Sequence, residues 1–112
     1  MLGCHTLIRV GTSGSLRGDV KVGDIVITMA SVRLDGTSRT YVNPSYPAVA
    51  SYEVVLALIE VAGTLNVKFY VGITASSDSF YVGQGRPGYK GYLPRRFKHI
   101  IEDLSSVNVL NF

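Results

Sequence analysis

The hydrophobic and polar positions divide the chain into four short apolar runs and two stretches with helical spacing. Thr6 to Val10 (Thr-Leu-Ile-Arg-Val) predicts a short buried strand with one charge near its end. Gly11-Thr-Ser-Gly14 follows at once. Small residues there let backbone N–H groups approach a ligand closely. Leu16 to Lys21 is polar and reads as a loop. Asp24 to Val32 is β-branched and mostly apolar, which predicts a strand covered on both faces. Arg33 to Pro47 is rich in Gly, Ser, Thr, Asn and Pro, a long irregular connection. Loops of that length in small domains are usually functional or part of an interface.

The first helical stretch runs from Ser51 to Gly63, with Ser51 as N-cap and Glu53 in the first turn. Val54, Val55, Leu58, Ile59 and Ala62 form one apolar stripe, and Gly63 suits the C′ position. Asn66 to Thr74 predicts the next strand, and Ser76 to about Leu93 a glycine-punctuated loop. Pro94 suits the first turn of a second helix. Phe97, Ile100, Ile101 and Leu104 mark its apolar face. Val107 to Phe112 predicts a last short strand. The order β, β, α, β, α, β implies an α/β fold with a mostly parallel or mixed central sheet and flanking helices. In such sheets ligands bind at the carboxyl ends of strands, where the loops after Val10 and Thr74 begin.

Composition narrows the class. The 112 residues suffice for one domain and not for two. A hydrophobic fraction of 46% and a mean hydropathy of +0.25 indicate a packed globular chain rather than disorder. No apolar run approaches the roughly 20 residues of a membrane helix. His5 and Arg9 interrupt the first apolar stretch, so no signal peptide is expected. A lone cysteine, Cys4, permits no internal disulfide and agrees with a cytoplasmic setting. The net charge of +3 suits a small anionic substrate and is too weak to argue for DNA.

The candidate chemistry lies in the two flagged loops. Arg9 on a buried strand needs a partner, since burying a charge alone is costly. Either a carboxylate elsewhere satisfies it, or a bound anion does, with Thr12 and the turn N–H groups as neutral donors. Ser76 to Arg86 offers an aromatic face (Phe80), an amide (Gln84) and a planar cationic fork (Arg86). That set matches a flat heterocycle with two carbonyls and a ring N–H, as in uracil; the alternative is an ordinary strand end and solvated loop. Asp78 is expected to cap backbone groups. No Walker-type phosphate loop, Ser-His-Asp arrangement or metal constellation is present, and His5 and His99 read as structural and surface side chains. Arg86, Lys90, Arg95, Arg96 and Lys98, interleaved with Tyr89, Tyr92 and Phe97, make the best case for a nucleic-acid surface. Phe97 is needed for the helix stripe, so a solvated basic face is expected instead.

Three stretches together resemble the nucleoside phosphorylase family, its uridine phosphorylase branch in particular. They are Ile8 to Gly14, Asp24 to Gly36, and Thr74 to Arg86 with its Phe-Tyr-x-Gly-Gln-x-Arg motif. The resemblance covers nearly the whole chain in order. It implies an α/β/α sandwich, assembled in the family as dimers within a hexamer. It implies reversible phosphorolysis of uridine to uracil and ribose 1-phosphate, with inorganic phosphate as co-substrate and no metal or other cofactor. Arg9, Gly11 and Thr12 would bind phosphate, with Arg9 and Thr12 carrying the catalytic role. Phe80, Gln84, Arg86 and Phe112 would hold the base. Purine-directed members lack the Gln/Arg pair.

Family members are considerably longer. They carry an N-terminal glycine-rich phosphate-binding turn, and a Glu-Met-Glu motif gripping the ribose directly after the strand that here ends in Asn111-Phe112. The resemblance therefore implies a central fragment, residues 1–112 forming a single incomplete domain with weak activity or none. The rival expectations are purine nucleoside phosphorolysis or hydrolysis, and a non-catalytic partner that binds nucleoside or phosphate.

Overall fold

A computed structural model describes residues 3–112. Three strands form one parallel sheet in the order β1 (Ile25–Arg33), β2 (Phe69–Ser76), β3 (Val109–Asn111). Two helices connect them, α1 (Tyr52–Thr64) and α2 (Ile100–Ser106). The α/β class and the parallel sheet agree with the sequence expectation.

Helix α1 packs on β1, and α2 on β3. The predicted α1 stripe is the face turned inward: Ala62 is buried and Val54, Val55, Leu58 and Ile59 are half-buried. The ends of α1 differ in detail from expectation. Ser51 stands at the N-cap with extended backbone, but its hydroxyl donates to Glu53 Oε2 at 2.7 Å rather than accepting a backbone N–H. Gly63 lies inside the helix; Asn66 takes the left-handed position, at φ 52°. Asn66 N–H reaches Gly63 O and Val67 N–H reaches Ala62 O, the paired bonds of a Schellman ending.

The core lies between the sheet and α2. Ala75, Leu104 and Val109 are buried together, with Leu16, Ile73, Ile100 and Phe112 packed around them. Gly72 lets β2 approach β3 closely: a Cβ there would stand 2.6 Å from Leu110 Cδ1. The second helix does not begin at Pro94. Arg95–Phe97 forms a 3-10 turn closed by Phe97 N–H to Pro94 O, and the α-helix starts only at Ile100. His99 sits at its N-cap, exposed, with Nδ1 3.0 Å from Glu102 Oε2. Ile101, expected on the apolar face, is 43% exposed.

Two further expectations fail. Thr6–Val10 is not a strand: among the described residues no strand lies beside it, it forms no backbone–backbone hydrogen bond, and its side chains are exposed. The β1 strand is not covered on both faces, since Ile25 and Met29 stand open. The long connection after β1 is held from its stem. The Arg33 guanidinium donates to the carbonyls of Asn43, Pro44 and Tyr46. Its end returns antiparallel to β1 through Ala50 N–H to Met29 O and Ser31 N–H to Ala48 O.

Candidate active site

One cleft of about 630 Å³ gathers the predicted site residues. Its walls include Arg9, Gly11 and Thr12 at one end and Phe80, Gln84 and Arg86 at the other, with Phe112 also lining it. Its floor is Val26 and Thr28 of β1, Thr74 to Ser76 of β2, and Asn111 of β3. The cleft thus sits at the carboxyl ends of β2 and β3, as parallel sheets place their ligands.

The Phe80–Arg86 end is built from local turns. Ser77 Oγ accepts Ser79 N–H, and Ser79 Oγ accepts Gly83 N–H at 3.1 Å. Arg86 N–H closes back on Tyr81 O at 2.9 Å. Gly83 has no room for a side chain: a Cβ would lie 2.5 Å from Ser77 Oγ and 2.9 Å from Ser79 Cβ. Gly85 adopts the left-handed conformation at φ 74°, where glycine carries no Cβ penalty. The turn presents Gln84 and stacks the Arg86 guanidinium over the Phe80 ring, 4.8 Å from its centroid. Asp78 does cap backbone, as expected: its Oδ2 accepts Gly36 N–H at 2.7 Å.

The Arg9–Thr12 end is anchored through β3. Gly14 and Phe112 exchange two backbone hydrogen bonds, at 3.1 and 2.9 Å, and Leu16 N–H donates to Leu110 O. This antiparallel patch carries the Gly11–Gly14 turn to the strand end. Arg9 is exposed rather than on a buried strand, so the desolvation argument for it fails. Its guanidinium lies over the turn, where a Cβ on Gly11 would stand 3.5 Å from Nη1. A Cβ on Gly14 would stand 3.4 Å from Arg86 Nη2. Among the described residues neither Arg9 nor Arg86 forms an ion pair or a side-chain hydrogen bond. Two cations therefore face one cleft with their donors unspent. The carboxylate alternative for Arg9 finds no acid here.

Sequence reasoning missed a row of four polar residues, three on the floor and Ser13 in the Gly11–Gly14 turn. Thr28 Oγ1 and Thr74 Oγ1 are 2.6 Å apart, Thr74 Oγ1 donates to Asn111 Oδ1 at 2.9 Å, and Asn111 Nδ2 donates to Ser13 Oγ at 2.7 Å. Asn111 is buried with both ends of its amide satisfied. No local signal marks such a row, because it exists only through strand register, Thr74 facing Asn111.

The sequence of the whole chain fits one family. Residues 1–109 match the model described as the phosphorylase superfamily. The chain belongs to the phosphorylase superfamily. It is 51% identical over 111 residues to the uridine phosphorylase of Thermococcus kodakarensis, covering 99% of this chain and 40% of that protein. It is 43% identical over 112 residues to the uridine phosphorylase of Salmonella typhimurium, covering 99% of this chain and 44% of that protein. A guanosine phosphorylase of Halorubrum lacusprofundi is 36% identical over 80 residues, 71% of this chain and 33% of that protein. The chain spans about two fifths of the length of the curated relatives it matches over its whole extent. Among the described residues no helix is long and apolar enough to cross a membrane.

Proposed function

We propose that this chain carries the uracil-binding end and part of the phosphate end of a uridine phosphorolysis site. The reaction is uridine plus phosphate to uracil plus ribose 1-phosphate, with inorganic phosphate as co-substrate and no other cofactor. The observation that supports it best is a single cleft flanked by two guanidinia, Arg9 and Arg86, with no acid paired to either among the described residues. The names of the full-length relatives agree with that reading.

The chemistry asks for charge at both ends. As the glycosidic bond breaks, positive charge grows on the ribose and negative charge on the departing base. An anion held beside the sugar stabilises the first, and donors on the uracil oxygens stabilise the second. Arg9, with Thr12 and the Gly11 turn, supplies cationic and neutral donors for phosphate. Gln84 and Arg86 supply an amide and a fork for the edge of uracil, while Phe80 and Phe112 give its faces an apolar wall. The Arg86 guanidinium over Phe80 must shift for a base to stack there, exchanging a cation–π contact for a stacked one. The protein would act in the cytoplasm and as a homo-oligomer, by resemblance to its family.

The guanosine phosphorylase relative keeps purine phosphorolysis as a second reading. Gln84 and Arg86 match a pyrimidine edge better, with two carbonyls flanking one N–H. Assays on uridine, guanosine and inosine, each with and without phosphate, separate the readings. The expected result is phosphate-dependent release of uracil alone, or, where turnover is weak, calorimetric binding of uracil and phosphate. Turnover of purine nucleosides only, or binding of neither ligand, would overturn the proposal.

A further inference from the structure

We infer that Asp78 is a positioning residue for uracil recognition: its carboxylate stands in for a backbone rung of the sheet and aims the loop that carries Phe80, Gln84 and Arg86. The inference rests on the phosphorolysis reading of the cleft and deepens its uracil end.

The register of the sheet shows what Asp78 replaces. A parallel ladder places its rungs at every second residue of each strand. Arg33 and Ser76 are the last paired residues of β1 and β2, and one more backbone rung forms beyond them, Leu34 N–H to Ser76 O at 2.9 Å. Two residues further on, the next rung would join Gly36 N–H to the main-chain carbonyl of Asp78. The backbone bends at Asp78, and Gly36 N–H meets Asp78 Oδ2 instead, at 2.7 Å. The side chain thus continues the ladder by one rung while the main chain is released into the loop. The fit is close, since a Cβ on Gly36 would stand 3.3 Å from the same oxygen.

Shape and aim have different sources in this loop. The bonds through Ser77, Ser79 and Tyr81 all close within residues 77–86, so they fix its shape and would survive if it swung as a unit. Among the described residues, the Gly36–Asp78 bond is the one hydrogen bond that ties residues 77–86 to the rest of the chain. The far end is held by packing, where a Cβ on Gly85 would stand 2.9 Å from Ile100 Cγ2. Phe80 and Gln84 lie between these two points, and Arg86 follows directly. Asp78 itself lies outside the cleft, on a separate hollow of about 360 Å³ that it lines with Leu34 and Gly36. It therefore acts on the base only through the loop. Without its rung the loop is fixed near Gly85 alone. Uracil must then select the aimed fraction from a wider set of poses, and its apparent affinity falls by that fraction.

The test uses the full chain in calorimetric titrations with uracil and, separately, with inorganic phosphate. Asp78 is exposed, so Asp78→Ala should keep the circular-dichroism melting midpoint. It should weaken uracil binding by about three- to tenfold, the worth of one hydrogen bond, and leave phosphate binding within about twofold. Asp78→Asn, whose amide oxygen still accepts, should recover most of the loss. A third measurement needs no variant. If the rung favours uracil binding, uracil must by linkage favour the rung, so uracil should slow hydrogen exchange at the Gly36 N–H and phosphate should not. Four results each overturn the inference while the functional reading stands: unchanged uracil affinity in Asp78→Ala, an equal loss for phosphate, no recovery in Asp78→Asn, or Gly36 exchange that ignores bound uracil. An unaltered chain that does not bind uracil overturns the functional reading and the inference with it.

Discussion

Between Ser76 and Arg86 the backbone is tied to itself through Ser77, Ser79 and the Arg86–Tyr81 bond. Between Gly3 and Ser13 no backbone–backbone hydrogen bond forms among the described residues, and the turn that follows is held through Asn111 and Phe112. The two ends of the same cleft thus rest on different physics. The proposed base end, Phe80 to Arg86, keeps its shape by short-range turn chemistry, which closes small loops at low entropic cost. The proposed phosphate end, Arg9 to Gly14, depends on a few contacts that join positions nearly a hundred residues apart. Its geometry exists only when β3 is in register. Damage to the sheet should reach the phosphate end first, and damage to the loop should stay in the base end.

The largest effect should come from what lies beneath both. Leu104 is buried with Ala75, just before the base loop, and with Val109 of β3. Leu104→Ala should lower unfolding free energy by about 2–5 kcal/mol, read by urea titration. Both binding ends should fail together as the chain unfolds. Survival of uracil binding in the unfolded range would show that the base loop does not need the core.

Next in size is a substitution that should separate the ends. Arg86→Ala should weaken uracil binding by about 1.5–3 kcal/mol, the range for a hydrogen bond to a charged group. Phosphate binding should change far less in the same calorimetric series. Arg86→Lys should not restore uracil, because a point charge cannot replace a planar fork. An equal loss for both ligands would mean that the cleft acts as one electrostatic field and that the division into two ends is wrong.

Gly83→Ala probes the turn rather than the ligand contacts. Its Cβ would meet Ser77 Oγ at 2.5 Å, so the loop must shift at a cost of about 1–3 kcal/mol. Uracil affinity should fall and phosphate affinity hold, as measured by the same titrations. This glycine was within reach of the sequence, since the Gly-Gln-Gly-Arg run announces a tight turn. The grouping of Phe80, Gln84 and Arg86 was legible for the same reason, all three lying in one loop. So was α1, whose stripe repeats over several turns. The misread elements are those decided at a distance. Thr6–Val10 has strand composition, but a strand needs a neighbour, and none stands beside it among the described residues. Pro94 has the right residue type for a helix start, yet Phe97 N–H closes on Pro94 O in a tighter turn first. Thr28, Thr74, Asn111 and Ser13 look like ordinary strand and turn residues until register aligns them.

The smallest effect should come from an ion pair that lines neither end. Asp24, just before β1, accepts from Lys68 Nζ at 2.8 Å and from Lys21 N–H, and both hold its carboxyl below the usual range, Lys68 foremost. A carboxyl depressed in the folded state stabilises the fold above its unfolded pKa, about 3.9. That contribution fades as pH falls below about 4 and is gone once the folded group is protonated. Asp24→Asn should therefore melt slightly lower than the unaltered chain at neutral pH, and the gap should close on acidification below pH about 4. Lys68 is largely exposed, so salt should narrow the gap too. Uracil and phosphate affinities at neutral pH should both stay unchanged. A selective loss of phosphate binding in Asp24→Asn would show that the start of β1 reaches the turn through the row of Thr28, Thr74, Asn111 and Ser13, and that this end of the cleft is anchored more widely than by β3 alone.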